Sequence, residues 1–166
     1  MGSKPQAAHC SDCGFNWSMS SDEAILLVQA APDRYSAMLA NGAGSRSDDA
    51  TQWSATGYLW HVVDVIRLGT ERLWALTLDA GSGVPGWDEE ALAAARRYEQ
   101  QSLIVGLRAL AAAVDEWVGA AREAPPSAEV AHPVFGTLSA HDSVLRNAHE
   151  VKHHAQDVER ALQMRS

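Results

Sequence analysis

The sequence is short of cysteine, of long apolar runs and of clustered positive charge, and each shortage removes a class of protein. Two cysteines in 166 residues, Cys10 and Cys13, cannot build a disulfide framework. No stretch approaches the roughly 18 uninterrupted apolar residues of a membrane span. Residues 1–17 are polar and lack the apolar middle of a secretory signal. A cytoplasmic protein with no membrane partner is therefore expected. The longest basic run is the pair Arg96–Arg97 and the formal net charge is -8, so no nucleic-acid partner is expected either. A Gly-rich phosphate loop, a G-x-S-x-G elbow and a tandem Cys-x-x-Cys pattern are all missing.

What is present points to helices. Apolar residues make up 46% and charged residues 20%, the balance of a globular domain with a real core. Alanine is abundant beside Leu and Val, which biases the chain towards helix. No repeat or low-complexity linker divides the chain, so residues 1–166 read as one domain with an irregular segment over residues 1–19. Ser20 and Glu23 have capping-box spacing and predict a helix from Asp22 to Leu39, broken or kinked at Pro32. Asn41–Ser45 ends it, and a polar loop runs to Trp53. Leu59, Val62, Ile66, Leu73 and Leu76 recur at three- and four-residue steps and predict a second helix from Ser54 to Leu78. After a Gly-rich loop at residues 80–86, residues 88–101 are helix-prone without being continuous. A third helix is predicted from Ser102 to Ala121, stopped by Pro125–Pro126. A fourth runs from Thr137 or Ser139 to near Met164, after an extended or turning His132–Gly136. With no strand pattern, these pieces predict an all-α four-helix bundle.

Seven histidines give the chain its chemistry. Residues four apart on a helix lie about 40° apart around the axis, so His149 and His153 can face one ion. His61, from the second helix, would complete a triad, and three protein ligands leave room for water or substrate. Asp64 and Asp157 stand three and four residues beyond His61 and His153, where either could orient a ligand imidazole. The competing reading is a solvated polar face. His149 and His153 lie about 140° to 180° from the apolar stripe of the fourth helix, and His61 about 130° from that of the second, which suits a surface or an open cleft better than a core. His154 points about 100° away from His153 and reads as packing or surface. His132 and His141 read as surface residues near a pocket mouth. Glu150, next to His149, points about 100° away from it, which counts against Glu150 as the base of a hydrolase working at His149. Cys10-x-x-Cys13 is half of a zinc or redox motif without its other half, and reads first as incidental thiols. Trp53 and Trp60 flank His61, with core packing as their default role.

The order of these pieces resembles the DinB-like superfamily. Trp53-Ser54 followed by Tyr58-Leu59-Trp60-His61-Val62-Val63-Asp64 resembles that family's second-helix motif, and His149-Glu150-Val151-Lys152-His153-His154 its last-helix motif. Cys10–Phe15, Trp87-Asp88-Glu89 and Arg96-Arg97-Tyr98 are similar to an actinobacterial subgroup. The resemblance spans most of the chain. It implies a metal-binding four-helix bundle with ligands His61, His149 and His153, and zinc first or nickel second as the divalent cofactor. It also implies relatives among transferases that use a low-molecular-weight thiol such as mycothiol, and a mycothiol-dependent maleylpyruvate isomerase. The isomerase's extra C-terminal domain is missing, and His149 stands where that enzyme would place a carboxylate; both departures count against isomerase activity. The leading expectation is a thiol-dependent transferase acting on an electrophilic small molecule. The alternatives are a metal-dependent hydrolase or lyase needing no thiol, and a non-catalytic metal-binding stress protein. Dimerisation through an exposed helix face is a further expectation.

Overall fold

The computed structural model describes residues 8–40, 53–81 and 83–163. The expected loop at Asn41–Ser45 lies outside them. Helix α1 (Ser21–Gln29) starts on the predicted capping box: the Ser20 hydroxyl accepts from the Glu23 N–H, and the Glu23 carboxylate accepts from the Ser20 N–H at 2.8 Å. The chain breaks at Ala30 and resumes as α2 (Ala31–Met38), with Pro32 in its first turn, where a missing N–H costs no helical hydrogen bond. Helix α3 (Ala55–Leu78) is capped by Ser54, whose hydroxyl accepts from the Gly57 N–H at 3.0 Å, and it buries all five residues of its predicted stripe. Helices α4 (Glu89–Arg96), α5 (Leu103–Glu123) and α6 (Ala140–Gln163) follow.

The broken α1–α2 arm, α3, α5 and α6 form the four-helix bundle. Helix α3 packs along both α5 and α6, while α1 leans on α6 and α2 on α5. Two glycines set these distances. A Cβ on Gly106 would meet the Leu59 side chain at 2.8 Å, and one on Gly69 would meet the Asn147 amide. Asn147 ties the same interface together, accepting from the Trp117 indole at 2.9 Å and donating to the Val65 carbonyl.

Two features depart from the sequence reading. An antiparallel hairpin, β1 (Glu129–His132) with β2 (Gly136–Ser139), precedes α6. Four-residue strands are too short for alternation to register. The turn is closed by His132, whose Nδ1 accepts from the Val134 and Phe135 N–H groups, and by Gly136 at φ +75. His132 is thereby buried, contrary to the surface role expected of it. In the segment before Met19, His9 and Asn16 bridge, and Trp17 N donates to Ala8 O at 3.0 Å. No helix of the described residues is long and apolar enough to cross a membrane.

Beyond α4, Arg97 adopts the left-handed conformation at φ 52. This turn lets Arg96 and Tyr98 converge on the buried carboxylate of Asp64 in α3. Strain of about 1–2 kcal/mol for such a residue is offset by two hydrogen bonds to a charged acceptor. The same convergence lays α4 and its preceding loop over one flank of α3.

Candidate metal centre

That covered flank carries His61. Its position on the wheel predicts distance from the core, yet the residue is fully buried. The wheel cannot anticipate the cover that α4 and its preceding loop lay over this flank. Trp53 lies 5.0 Å from the His61 ring, Trp87 stacks on it at 5.7 Å, and His154 of α6 meets it edge-on at 4.5 Å. Neither ring nitrogen of His61 has a hydrogen-bond partner. Burial, reinforced by His154, pushes its pKa down to about 3, so the ring is neutral. A buried imidazole with both nitrogens unpaired is costly, and an electron-pair acceptor at this place would satisfy the nitrogen that carries the lone pair.

His154 and Glu150, one turn apart on α6, supply the rest. His154 Nε2 faces the Glu150 carboxylate at 3.1 Å, and its Nδ1 faces Asp157 at 2.9 Å. Burial alone would lower the His154 pKa; the hydrogen bonds to Asp157 and Glu150 outweigh it and raise the value to about 9. Burial would raise Glu150, but its bonds to His149 and His154 hold it below the usual carboxylate range. Ligand atoms of His61, Glu150 and His154 all lie within 4.8 Å of one another. Two imidazoles and a carboxylate are a donor set suited to zinc, and three protein ligands leave a coordination position for a reactant. The unpaired nitrogens of His61 are the observation that fits this set to a metal. Asp157 would fix the tautomer of His154, keeping the proton on Nδ1 and the lone pair on Nε2.

The structure divides the expected triad of His61, His149 and His153 between two clusters. His61 falls with Glu150 and His154, whereas His149 and His153 fall with Cys10 and Cys13. Successive residues advance about 100° around a helix, so rows 149/153 and 150/154 are neighbours on α6, and only its packing against α3 chooses which one faces His61. His154 packs against Tyr58 and His61 and also falls in the first cluster. Glu150 is the carboxylate of that cluster. Asp64 makes no hydrogen bond to His61, whose nitrogens have none; it anchors Arg96 and Tyr98 instead. Asp157 does orient a ring, that of His154. His141 pairs with Ser21, away from the centre. Beside the second cluster, a backbone hydrogen bond from Cys13, with help from His149, draws the Cys10 thiol down to about 6.

Of His61, Glu150 and His154, Glu150 alone lines a cleft of about 280 Å³, together with Trp87, Arg72 and Arg146. The two arginines come from α3 and α6, and among the described residues neither pairs with a carboxylate. Arg146 lies over the Phe135 ring at 3.6 Å, and Arg72 donates to the Pro85 carbonyl. A second cleft of about 230 Å³ shares Leu68, Arg72, Gly86 and Trp87 with the first. Nothing in the spacing of Arg72 and Arg146 marks them from the sequence; the fold alone brings them together.

Comparison with known proteins agrees with this architecture. The family model described as the DinB superfamily matches residues 16–158. The chain is similar to YfiT from Bacillus subtilis, described as a probable metal-dependent hydrolase with an unusual four-helix bundle topology. The two share 13% identity at a TM-score of 0.74, over 98% of this chain and 93% of that one. A search of curated proteins finds no match.

Proposed function

We propose that this chain, which belongs to the DinB superfamily, is a metal-dependent enzyme that joins a low-molecular-weight thiol to a small anionic electrophile. The observation carrying the reading is the buried, unpaired His61 set against Glu150 and His154 at the head of an arginine-lined cleft. A divalent ion at this centre, zinc in first place and nickel in second, supplies Lewis acidity and favours the deprotonated form of a thiol or water that reaches it.

The chain's own groups do the rest. Asp157 holds the His154 proton at Nδ1. Trp53 and Trp87 cover the faces of His61 and keep bulk water from it. Arg72 and Arg146 offer forked donors to a carboxylate or similar group, which would set the reacting carbon near Glu150. The adjoining second cleft supports transfer over hydrolysis, because a transfer must seat two organic reactants side by side. Hydrolysis without a thiol is the second reading, supported by the description of YfiT.

The test is to supply the zinc-loaded protein with a carboxylate-bearing electrophile and, in turn, mycothiol, bacillithiol, glutathione or no thiol. A rate that requires a thiol, falls by at least about 100-fold in His154→Ala and shows a raised KM in Arg146→Ala would bear out the proposal. Turnover without thiol would replace it with hydrolysis. No rate above the metal-free protein under any condition would leave a non-catalytic metal binder.

A further inference from the structure

The second cluster, Cys10, Cys13, His149 and His153, is used by none of the chemistry above. We propose that it is a separate, closed zinc site of two thiolates and two imidazoles that pins the N-terminal segment to α6.

The local fold is built for this. Cys10 and Cys13 sit on a tight turn: Gly14 N donates to Cys10 O at 2.9 Å, Cys10 N donates to Phe15 O at 2.9 Å, and Gly14 at φ +63 completes the reversal. The turn presents both sulfurs to the face of α6 that carries His149 and His153, one helical turn apart. Ligand atoms of all four side chains lie within 4.8 Å of one another. Both cysteines are free.

Each imidazole has a carboxylate near one ring nitrogen and none near the other. His149 Nδ1 faces Glu150 at 3.3 Å, and His153 Nε2 faces Asp157 at 3.8 Å. The other nitrogens, His149 Nε2 and His153 Nδ1, are buried without a hydrogen-bond partner. A carboxylate on the far nitrogen and nothing on the near one is the arrangement by which proteins aim histidines at a metal. The surroundings hold that aim: Trp17 stacks on His149 at 4.7 Å, Phe15 meets it edge-on at 5.5 Å, and the Lys152 ammonium donates to the Gly14 carbonyl at 3.1 Å.

The chemistry selects zinc and a structural role. Two sulfur and two nitrogen donors suit tetrahedral Zn²⁺, and four protein ligands leave no position for a substrate. A bound ion would take both cysteines as thiolates, whose two charges would neutralise the dication. The spacing Cys-x-x-Cys with His-x-x-x-His is that of a Cys2His2 site, its halves separated by nearly the whole chain. Glu150 links the two centres, one carboxylate oxygen facing His149 and the other His154.

The test is metal analysis with cobalt substitution. Wild-type protein should hold two zinc ions per chain, and the Cys10→Ser/Cys13→Ser double variant one. The Co²⁺-loaded wild type should show an intense near-ultraviolet sulfur-to-cobalt charge-transfer band. That band should persist in His61→Ala, which removes the other centre, and vanish in His153→Ala. The absence of a thiolate band in cobalt-loaded wild type would overturn the proposal, without any variant needing to fold. So would thiols that react with a disulfide reagent equally fast in zinc-loaded and metal-free protein. Loss of the His61-dependent ion alone would count against the enzymatic reading and leave this site standing.

Discussion

Replacing His61 with leucine should make the metal-free protein more stable and the metal-loaded protein less so. In the absence of metal, the His61 ring is buried between Trp53, Trp87 and His154 with both nitrogens unpaired. Each unsatisfied polar atom costs about 1–3 kcal/mol. Leucine removes both penalties and fills most of the same volume; part of the gain is returned through imperfect packing. A net gain of about 1–3 kcal/mol is expected, which for a chain of this size raises Tm by about 2–4 °C per kcal/mol. With metal present the sign reverses. The wild type gains stability from the bound ion, about 4.1 kcal/mol at a free concentration about 1,000 times Kd, and the variant loses that contribution. The assay is thermal unfolding of both proteins after chelation and after zinc reconstitution, with metal content measured on the same samples. A chelated His61→Leu protein less stable than chelated wild type, holding the same amount of metal when loaded, would refute the reasoning and reduce His61 to a packing residue.

Three further outcomes follow from other parts of the molecule. Asp157→Asn leaves His154 without its carboxylate, so zinc affinity at the His61 centre, read by competition with a chromophoric chelator, should fall about 10–100-fold. Gly69→Ala would drive a methyl group into the Asn147 amide and displace it from Trp117 and Val65, so urea unfolding should show a loss of about 1–3 kcal/mol despite the better helix propensity of alanine. The phenols of Tyr35 and Tyr98 are both held neutral above their ordinary pKa: Tyr35 by burial, Tyr98 by burial and then by its bond to Asp64. Their contribution is fully present below pH 10.0, the ordinary value, and is lost as pH rises through it, because the unfolded chain releases protons that the folded chain retains. Stability should fall by about 1.4 kcal/mol per pH unit for each tyrosine. Tyr35→Phe should flatten the alkaline limb of the urea-unfolding profile by one such increment; an unchanged slope would count against its burial.

Much of the bundle is legible in local rules. The capping box at Ser20, the break near Pro32, the cap at Ser54 and the apolar stripes of α3 and α6 depend on neighbours within one or two turns, which is the range sequence patterns report. Arg97 in a left-handed conformation and the hairpin before α6 are not legible, because each is stabilised by distant partners: Asp64 in the first case, and the loop at residues 81–84 in the second, where Gly81 and Val84 donate to Glu129 and Ala131. His61 as a ligand candidate and the special character of the last-helix histidines can be read from residue type and spacing. The grouping of those ligands cannot.

The sequence by itself determined that four apolar helices would assemble, and that imidazoles would be concentrated on the second and last long helices. Only the tertiary structure decided that Glu150 and His154, rather than His149 and His153, turn towards His61, and that the latter pair turns towards the cysteines. The reason is rotational. One residue along α6 is a step of about 100°, and the pitch at which α6 lies against α3 is fixed by side chains far away in the chain, among them Gly69 against Asn147.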